Sequence, residues 1–467
     1  MRRLPSSPRS PRAANFAVGA LCLALLGGCA NLAPDYARPA LPVPATVDGQ
    51  ATASATLDAI AWQKVVADER LGKTIELSLA NNRDLRVAAL NIEKARAQYR
   101  IDDAALTPAL SAAATGSSSL YQNAISRKYS ASVGVAAYEL DFFGRLGNLS
   151  DAALQTYFAS QATQRSVRTS LVAEVGSAWL TLAAYQDLHR LAVDTLASRE
   201  KTLALTRQQQ ALGGTSRLAL AQAQAVAEAA RGDVANYASQ VEQARNALIL
   251  LAGTTVPADC LPPASQHVGD ARLALIDVPA GLSSEVLLRR PDVVSAEHTL
   301  RATYANIGAA RAAFFPSITL TGSTGSASPL LDGLFDAGTR AWSFVPTITL
   351  PIFNAGKLSA SLSVAEIQRD IGVATYEKTI QTAFSEVADA LAVRASLAER
   401  MAAQQGEVDA YATSLRLSTE RYRSGADSYL AVLDSQRSLY TAQKTLIALQ
   451  LVEQSNRMTL YKVLGGA

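Results

Sequence analysis

Apolar residues recur every three or four positions through Leu171, Val175, Ala178, Leu182, Tyr185, His189, Ala192 and Leu196. This heptad-like seam predicts a long helix packed lengthwise against another, with His189 at the helix–helix seam. Residues 317–353 read differently: Trp342, Phe344, Ile348, Leu350 and Ile352 share one parity, while Ser343, Thr347 and Thr349 share the other. Period-two alternation predicts strands with one apolar face. Residues 109–143 carry a weaker version of the same Ser/Thr/Gly-rich texture. Runs of about 10–13 residues with small polar residues inside and aromatics near the ends suit transmembrane β-strands, and also an ordinary exposed hairpin.

Proline placement separates the two textures. None occurs between Pro108 and Pro257 or after Pro351, and long helices tolerate no internal proline. Helices are therefore expected from Gly147 to Leu212 and from Lys357 to Ser424. Each is followed by a turn and a second helix, Ser216–Leu251 and Ser428–Leu464. Gly213 and Gly425 suit helix C-caps, and Ser216 and Ser428 suit the following N-caps.

The two α-hairpins are copies. Gly213 and Gly425, Ser216 and Ser428, Leu218 and Leu430, Glu174 and Glu386, and Gly253 and Gly465 are each 212 positions apart. Farther toward the N-terminus the offset is 208, in Asn82–Leu85 against Arg290–Val293 and Pro108 against Pro316. One slowly drifting offset implies a tandem repeat. The first repeat is placed at 62–255, with a β-hairpin at about 109–143 and an α-hairpin at about 147–253. A linker follows at 256–282. The second repeat spans 283–467, with a β-hairpin at about 317–353 and an α-hairpin at about 357–464. Four strands cannot close a barrel, and an open edge in lipid is forbidden. If the strands cross a membrane, the barrel is shared, and three copies would supply twelve strands. The α-hairpins would likewise combine into a helical tube.

The N-terminus changes the charge picture. Residues 1–28 pair a basic, proline-broken start with the apolar run AANFAVGALCLALLGG, as a secretory signal does. The run ends in Leu26-Gly27-Gly28-Cys29, which resembles a lipobox, making Cys29 the expected lipidation (palmitate) site at the head of a linker over 29–61. Four of the 43 basic residues fall in the signal, leaving the mature chain near neutral against its 40 acids, with no compositional support for nucleic-acid binding. Cys260 then has no partner and reads as an inert loop thiol. His189, His267 and His298 lack metal-ligand spacing, and there is neither a phosphate-cradling glycine loop nor a nucleophile elbow. No catalysis, cofactor or metal is expected. Asp141 and Arg145 bracket a strand-to-helix junction and suit a structural role.

The strings RRPDVVSAEHTLRATYANIGAARAAFFPSITLTGS, LPIFNAGK and RYRSGADSYLAVLDSQRSLYTAQ closely resemble the outer membrane factor family, specifically the TolC/OprM-like lipoproteins of the NodT-type branch. The resemblance implies a mainly α chain with transmembrane β. The assembly would be a homotrimer with a shared 12-stranded outer-membrane β-barrel over a long periplasmic α-helical barrel. It implies a periplasmic adaptor and an inner-membrane RND-type pump as partners, outer membrane lipid as surroundings, and passive export of small molecules. The hairpin turns would be the periplasmic tips, giving Gly213, Thr215, Ser216, Leu218, Gly425, Asp427, Ser428 and Leu430 as adaptor contacts. Asp434, in VLDSQ, matches the family's aspartate at the pore constriction. Its repeat counterpart is Gln222, and Ala431 stands where some members carry a second acid. Arg421 and Arg423 flank that tip and could pair with acids on a neighbouring helix to hold a closed state. A lipid-anchored periplasmic coiled-coil adaptor or scaffold, and a type I protein secretion channel, are the competing expectations.

Overall fold

The computed structural model describes residues 31–47, 60–276, 278–279 and 282–466, so the signal segment and Cys29 lie outside the described residues. In chain order the elements begin with α1 (Trp62–Val65), α2 (Glu69–Asn81), α3 (Arg83–Ala104), β1 (Leu110–Tyr121) and β2 (Ala124–Leu140). After α4 (Arg145–Ala211) and α5 (Arg217–Ala252) come α6 (Pro291–Ala312), β3 (Ser317–Ser328), β4 (Arg340–Thr349), α7 (Lys357–Arg423) and α8 (Tyr429–Val463). The chain divides into two compact units. One comprises Met1–Ala40, Asn91–Gln161 and Ser295–Tyr376, the other Leu41–Leu90, Ala162–Val294 and Glu377–Ala467.

The first unit holds one antiparallel sheet in the order β1-β2-β3-β4. Its register sorts the side chains. Ile348 lies opposite Ile318, Phe344 opposite Gly322, and Trp342 opposite Thr324. Thr324 and Gly322 in turn face Val133 and Val135, and Val133 and Val135 face Ala112 and Leu110. These residues share one face of the pleat. The opposite face carries hydroxyls, where Thr115 meets Ser130 at 2.7 Å and Ser323 meets Ser343 at 2.9 Å. A one-residue bulge between Val135 and Tyr138, with Ala137 at φ +52°, keeps Tyr138 and Leu140 on the apolar face. Without it the register would send both to the hydroxyl face.

No core covers the apolar face. Trp342 is 77 % exposed, Ile348 69 % and Phe344 60 %. A sheet with strands of 12, 17, 12 and 10 residues, apolar outward and hydroxylic on the other side, suits a bilayer, which needs about 9–11 residues per tilted strand. No described helix is long and apolar enough to cross a membrane. Two expectations need correction here. Leu350 and Ile352 fall beyond the end of β4, since the ladder to β3 stops at Thr349 opposite Ser317.

At the junction below the sheet, Asp141 accepts the Gly147 N–H at 2.7 Å, and Arg145 pairs with Glu139 at 2.5 Å. Both interactions tie the start of α4 to the end of β2. An extended N-terminal strap lies on α6: Arg38 binds Glu297 through both carboxylate oxygens, and the Tyr36 ring packs edge-on against Tyr304.

The second unit is built around paired helix ends. Leu71, Ile75, Trp179, Leu180, Leu182, Leu248, Val387 and Leu460 form much of its buried interior. The loop carbonyl of Cys260 accepts from Trp179 Nε1 at 3.0 Å and Thr74 Oγ1 at 2.7 Å, and burial pushes the Cys260 thiol up, away from the reactive thiolate. The repeat is visible in the helix caps. Asn82 donates to the Leu251 carbonyl at 2.9 Å, and Arg290, 208 positions later, donates to the Val463 carbonyl at 2.8 Å.

Candidate functional site

The turns between α4 and α5 and between α7 and α8 are built alike. In the first, Gly213 sits at φ +75°, with bonds from Gly214 N to Gln209 O and from Gly213 N to Gln210 O. In the second, Gly425 sits at φ +77°, with Ala426 N to Arg421 O and Gly425 N to Tyr422 O. Both are Schellman closures, in which a left-handed residue satisfies the last helix carbonyls. Gly213, Ser216, Leu218, Gly425, Ser428 and Leu430 are exposed, while Thr215 and Asp427 are partly buried.

The side chains distinguish the two turns. Ser216 accepts the Ala219 N–H at 3.1 Å and so caps α5, but Ser428, at the same position before α8, makes no side-chain cap bond. The capping role expected for Ser428 is thus carried by its extended backbone alone. Arg421 pairs with Asp427 of its own turn at 2.5 Å, and this bond holds the Asp427 carboxyl below its usual range. The rings of Tyr422 and Tyr429 meet across the same turn in a tilted contact, their centres 5.3 Å apart. At the first turn those two positions are Gln210 and Arg217, and Thr215 stands where the second turn has Asp427. Arg423 is exposed and makes no ion pair among the described residues.

Asp434 lies on the second turn of α8 and is 61 % exposed. Arg437, three residues on, pairs with it at 2.5 Å. The i,i+3 spacing is the signal of this pair in the sequence, since such pairs are neighbours on a helix.

Two further clusters join residues distant in sequence, with no local pattern to announce them. Tyr440 donates to Asp233 at 2.9 Å, while Arg199 lies 5.4 Å from its ring centre and Lys444 5.1 Å. Burial, and next the bond to Asp233, push the Tyr440 hydroxyl up, so it stays a donor. Asp187 accepts from the Val268 N–H at 2.7 Å, pairs with Arg190, and lies 3.2 Å from His267 Nδ1. His267 thus helps fasten the 256–282 segment to α4. His298 lies 2.7 Å from Gln155 Oε1. A groove of about 800 Å³ is bordered by Glu174, Glu386, Asp389 and Lys462, and no group of described residues could hold a metal ion.

An apolar-faced four-stranded sheet and two repeated α-hairpins with matching turns define a membrane channel protomer. Comparison with known proteins narrows the class. Residues 74–254 and 282–466 match the outer membrane efflux protein family, and the chain belongs to it. It is 47 % identical to the toluene efflux pump outer membrane protein TtgC of Pseudomonas putida, over 95 % of this chain and 93 % of that one. It is 43 % identical to the cation efflux system protein CusC of Escherichia coli, over 95 % and 98 % of the two chains. Among solved structures, the open state of the MtrE outer membrane channel of Neisseria gonorrhoeae superposes with a TM-score of 0.85 at 40 % identity, covering 93 % of this chain and 98 % of that one. The protein is an outer membrane efflux channel, mainly α with transmembrane β, each protomer an internal tandem repeat. The adaptor, scaffold and type I secretion expectations give way to that reading.

Proposed function

We propose that three copies close a twelve-stranded barrel and a helical tube, and that the tube is the passive exit duct of a tripartite efflux system. Small molecules expelled by an inner-membrane RND-type pump would reach it through a periplasmic adaptor. In this reading Cys29 carries the lipid anchor to the outer membrane. The chain itself performs no chemistry and supplies only a path. The unpaired outer edges of β1 and β4 support a shared barrel, because an unpaired edge in hydrocarbon leaves backbone groups unsatisfied.

The observation that carries the duct reading is the pair of matching Schellman turns. Three copies present six near-equivalent tips, suited to a ring of six adaptor hairpins that contact Gly213, Thr215, Ser216 and Leu218 at one tip and Gly425, Asp427, Ser428 and Leu430 at the other. Asp434 supplies a ring of three carboxylates at the constriction, a common basis of cation selection. Arg437 moderates that ring by pairing with it. Arg421 and Arg423 belong to the closed tip, Arg421 through its bond to Asp427.

Conductance of the purified trimer in planar bilayers tests this. Small cation-selective currents are expected, with selectivity lost in Asp434→Ala and increased in Arg437→Ala. Cation selectivity that survives Asp434→Ala would remove Asp434 from the constriction. Failure to form any membrane-inserted oligomer would overturn the duct itself.

A further inference from the structure

The outward face of the sheet is not uniform along its length. At the end nearest the helices it carries Leu140, Ile318 and Ile348. At the hairpin end the same face carries Arg340, Tyr129 and Arg127 beyond Trp342. The register places them without ambiguity: Arg340 lies opposite Ser326, Tyr129 opposite Ser328, and Arg127 opposite Ser118, all in phase with Trp342 opposite Thr324. Both arginines are exposed and make no ion pair among the described residues. No acid shares this face of the strands. Lys128 points to the hydroxyl face, opposite Ser117, and Asp332 and Asp336 lie in the β3–β4 loop.

We propose that Arg340 and Arg127 bind the phosphate groups of a phosphorylated glycolipid in the outer leaflet, with Trp342 seated at the lipid–water boundary and Tyr129 in the sugar layer beyond it. The inference rests on the outer-membrane channel reading, which sets the hairpin end outward. Exposed guanidiniums without partners on a lipid-facing surface select anionic headgroups, and aromatic residues mark the interface.

Height decides which lipid. Arg340 is two residues beyond Trp342, roughly 7 Å along the strand. Arg127 is six residues beyond Val133, which is in register with Trp342 through Thr324, so it lies roughly 20 Å along the strand, or about 15 Å in height for a strand tilted about 35–45°. Simple phospholipid headgroups extend the hydrocarbon layer by only about 5–8 Å per side. They reach Arg340 and fall short of Arg127. A glycolipid whose sugar layer bears phosphates at two heights meets both.

The test uses the full-length protein in phosphatidylcholine nanodiscs, titrated separately with phosphatidylglycerol, with lipid A and with fluorescent lipopolysaccharide that retains a phosphorylated core. Arg340→Gln is expected to weaken binding of all three about fivefold, the effect of one basic residue at an anionic surface. Arg127→Gln should weaken only the core-bearing lipopolysaccharide, by a similar factor, and Arg127→Lys should restore it. Equal lipopolysaccharide binding by wild type and the Arg127→Gln/Arg340→Gln double variant overturns the inference. Equal binding of dephosphorylated lipopolysaccharide to wild type does the same. Vesicle flotation scores insertion separately. A wild type that fails to insert removes the channel reading and this site with it, whereas an inserted protein indifferent to lipopolysaccharide removes this site alone.

Discussion

The two α-hairpins start from near-identical backbones and finish with different chemistry. Both close through a left-handed glycine at the tip, Gly213 or Gly425, and both end in another at the base, Gly253 or Gly465. Yet the first tip is neutral at the position where the second carries an Arg421–Asp427 bond beside a Tyr422–Tyr429 contact. The bases diverge as well, with a short amide at Asn82 against a buried guanidinium at Arg290 that also binds Asp292 and Glu386. Duplication thus preserved the backbone solution, which depends on spacing and glycine. It freed the side chains to specialise, which a homohexamer of single repeats could not do.

The largest expected asymmetry is at the bases. Arg290→Ala leaves the Val463 carbonyl and two acids without their shared donor and should cost about 3 kcal/mol, the low end for a buried pair because both acids are partly exposed. Asn82→Ala should cost only about 1 kcal/mol, mainly the lost cap on the Leu85 N–H, because Ser78 still donates to the Leu251 carbonyl at 2.7 Å. Denaturant midpoints of the two variants compare them, and equal losses would mean that the ion pairs add nothing.

Next comes glycine. A Cβ at Gly253 would stand 2.4 Å from the Asn81 carbonyl oxygen, whereas at Gly213 it would meet open space. Gly253→Ala should therefore cost about 2–3 kcal/mol, combining left-handed strain with overlap, against about 1 kcal/mol for Gly213→Ala. The tip variant should leave the global midpoint unchanged and raise hydrogen exchange only in residues 208–216.

A smaller effect separates the serines. Ser216→Ala should lose about 1 kcal/mol of local cap stability, read as faster exchange of the Ala219 amide, while Ser428→Ala should change nothing measurable at Ala431.

The smallest effect is pH. The Asp427 carboxyl is held below its ordinary value, so its contribution is complete above the ordinary carboxylate range and fades as pH falls through the depressed value. Exchange at the second tip should quicken in acid, and Asp427→Asn should abolish that dependence. The first tip, with Thr215 at that place, should show none from this source.

The sequence by itself determined the spans of the long helices, the repeat and the alternating strands. Each is written in local or periodic signals: absent prolines, a 3–4 rhythm, a constant offset, a period of two. The glycine turns were legible for the same reason, because a left-handed closure is a property of one residue and its immediate neighbours. Tertiary structure alone decided which face of β2 stays apolar past Ala137, since one bulged residue resets the pairing of everything beyond it. It alone joined Arg290 to a carbonyl 173 residues away and Tyr440 to Asp233 across 207. It also paired Arg421 with Asp427 across its own turn. Such partners are chosen by packing distance, and a single chain read in order carries no record of which distant residues will share a dry contact.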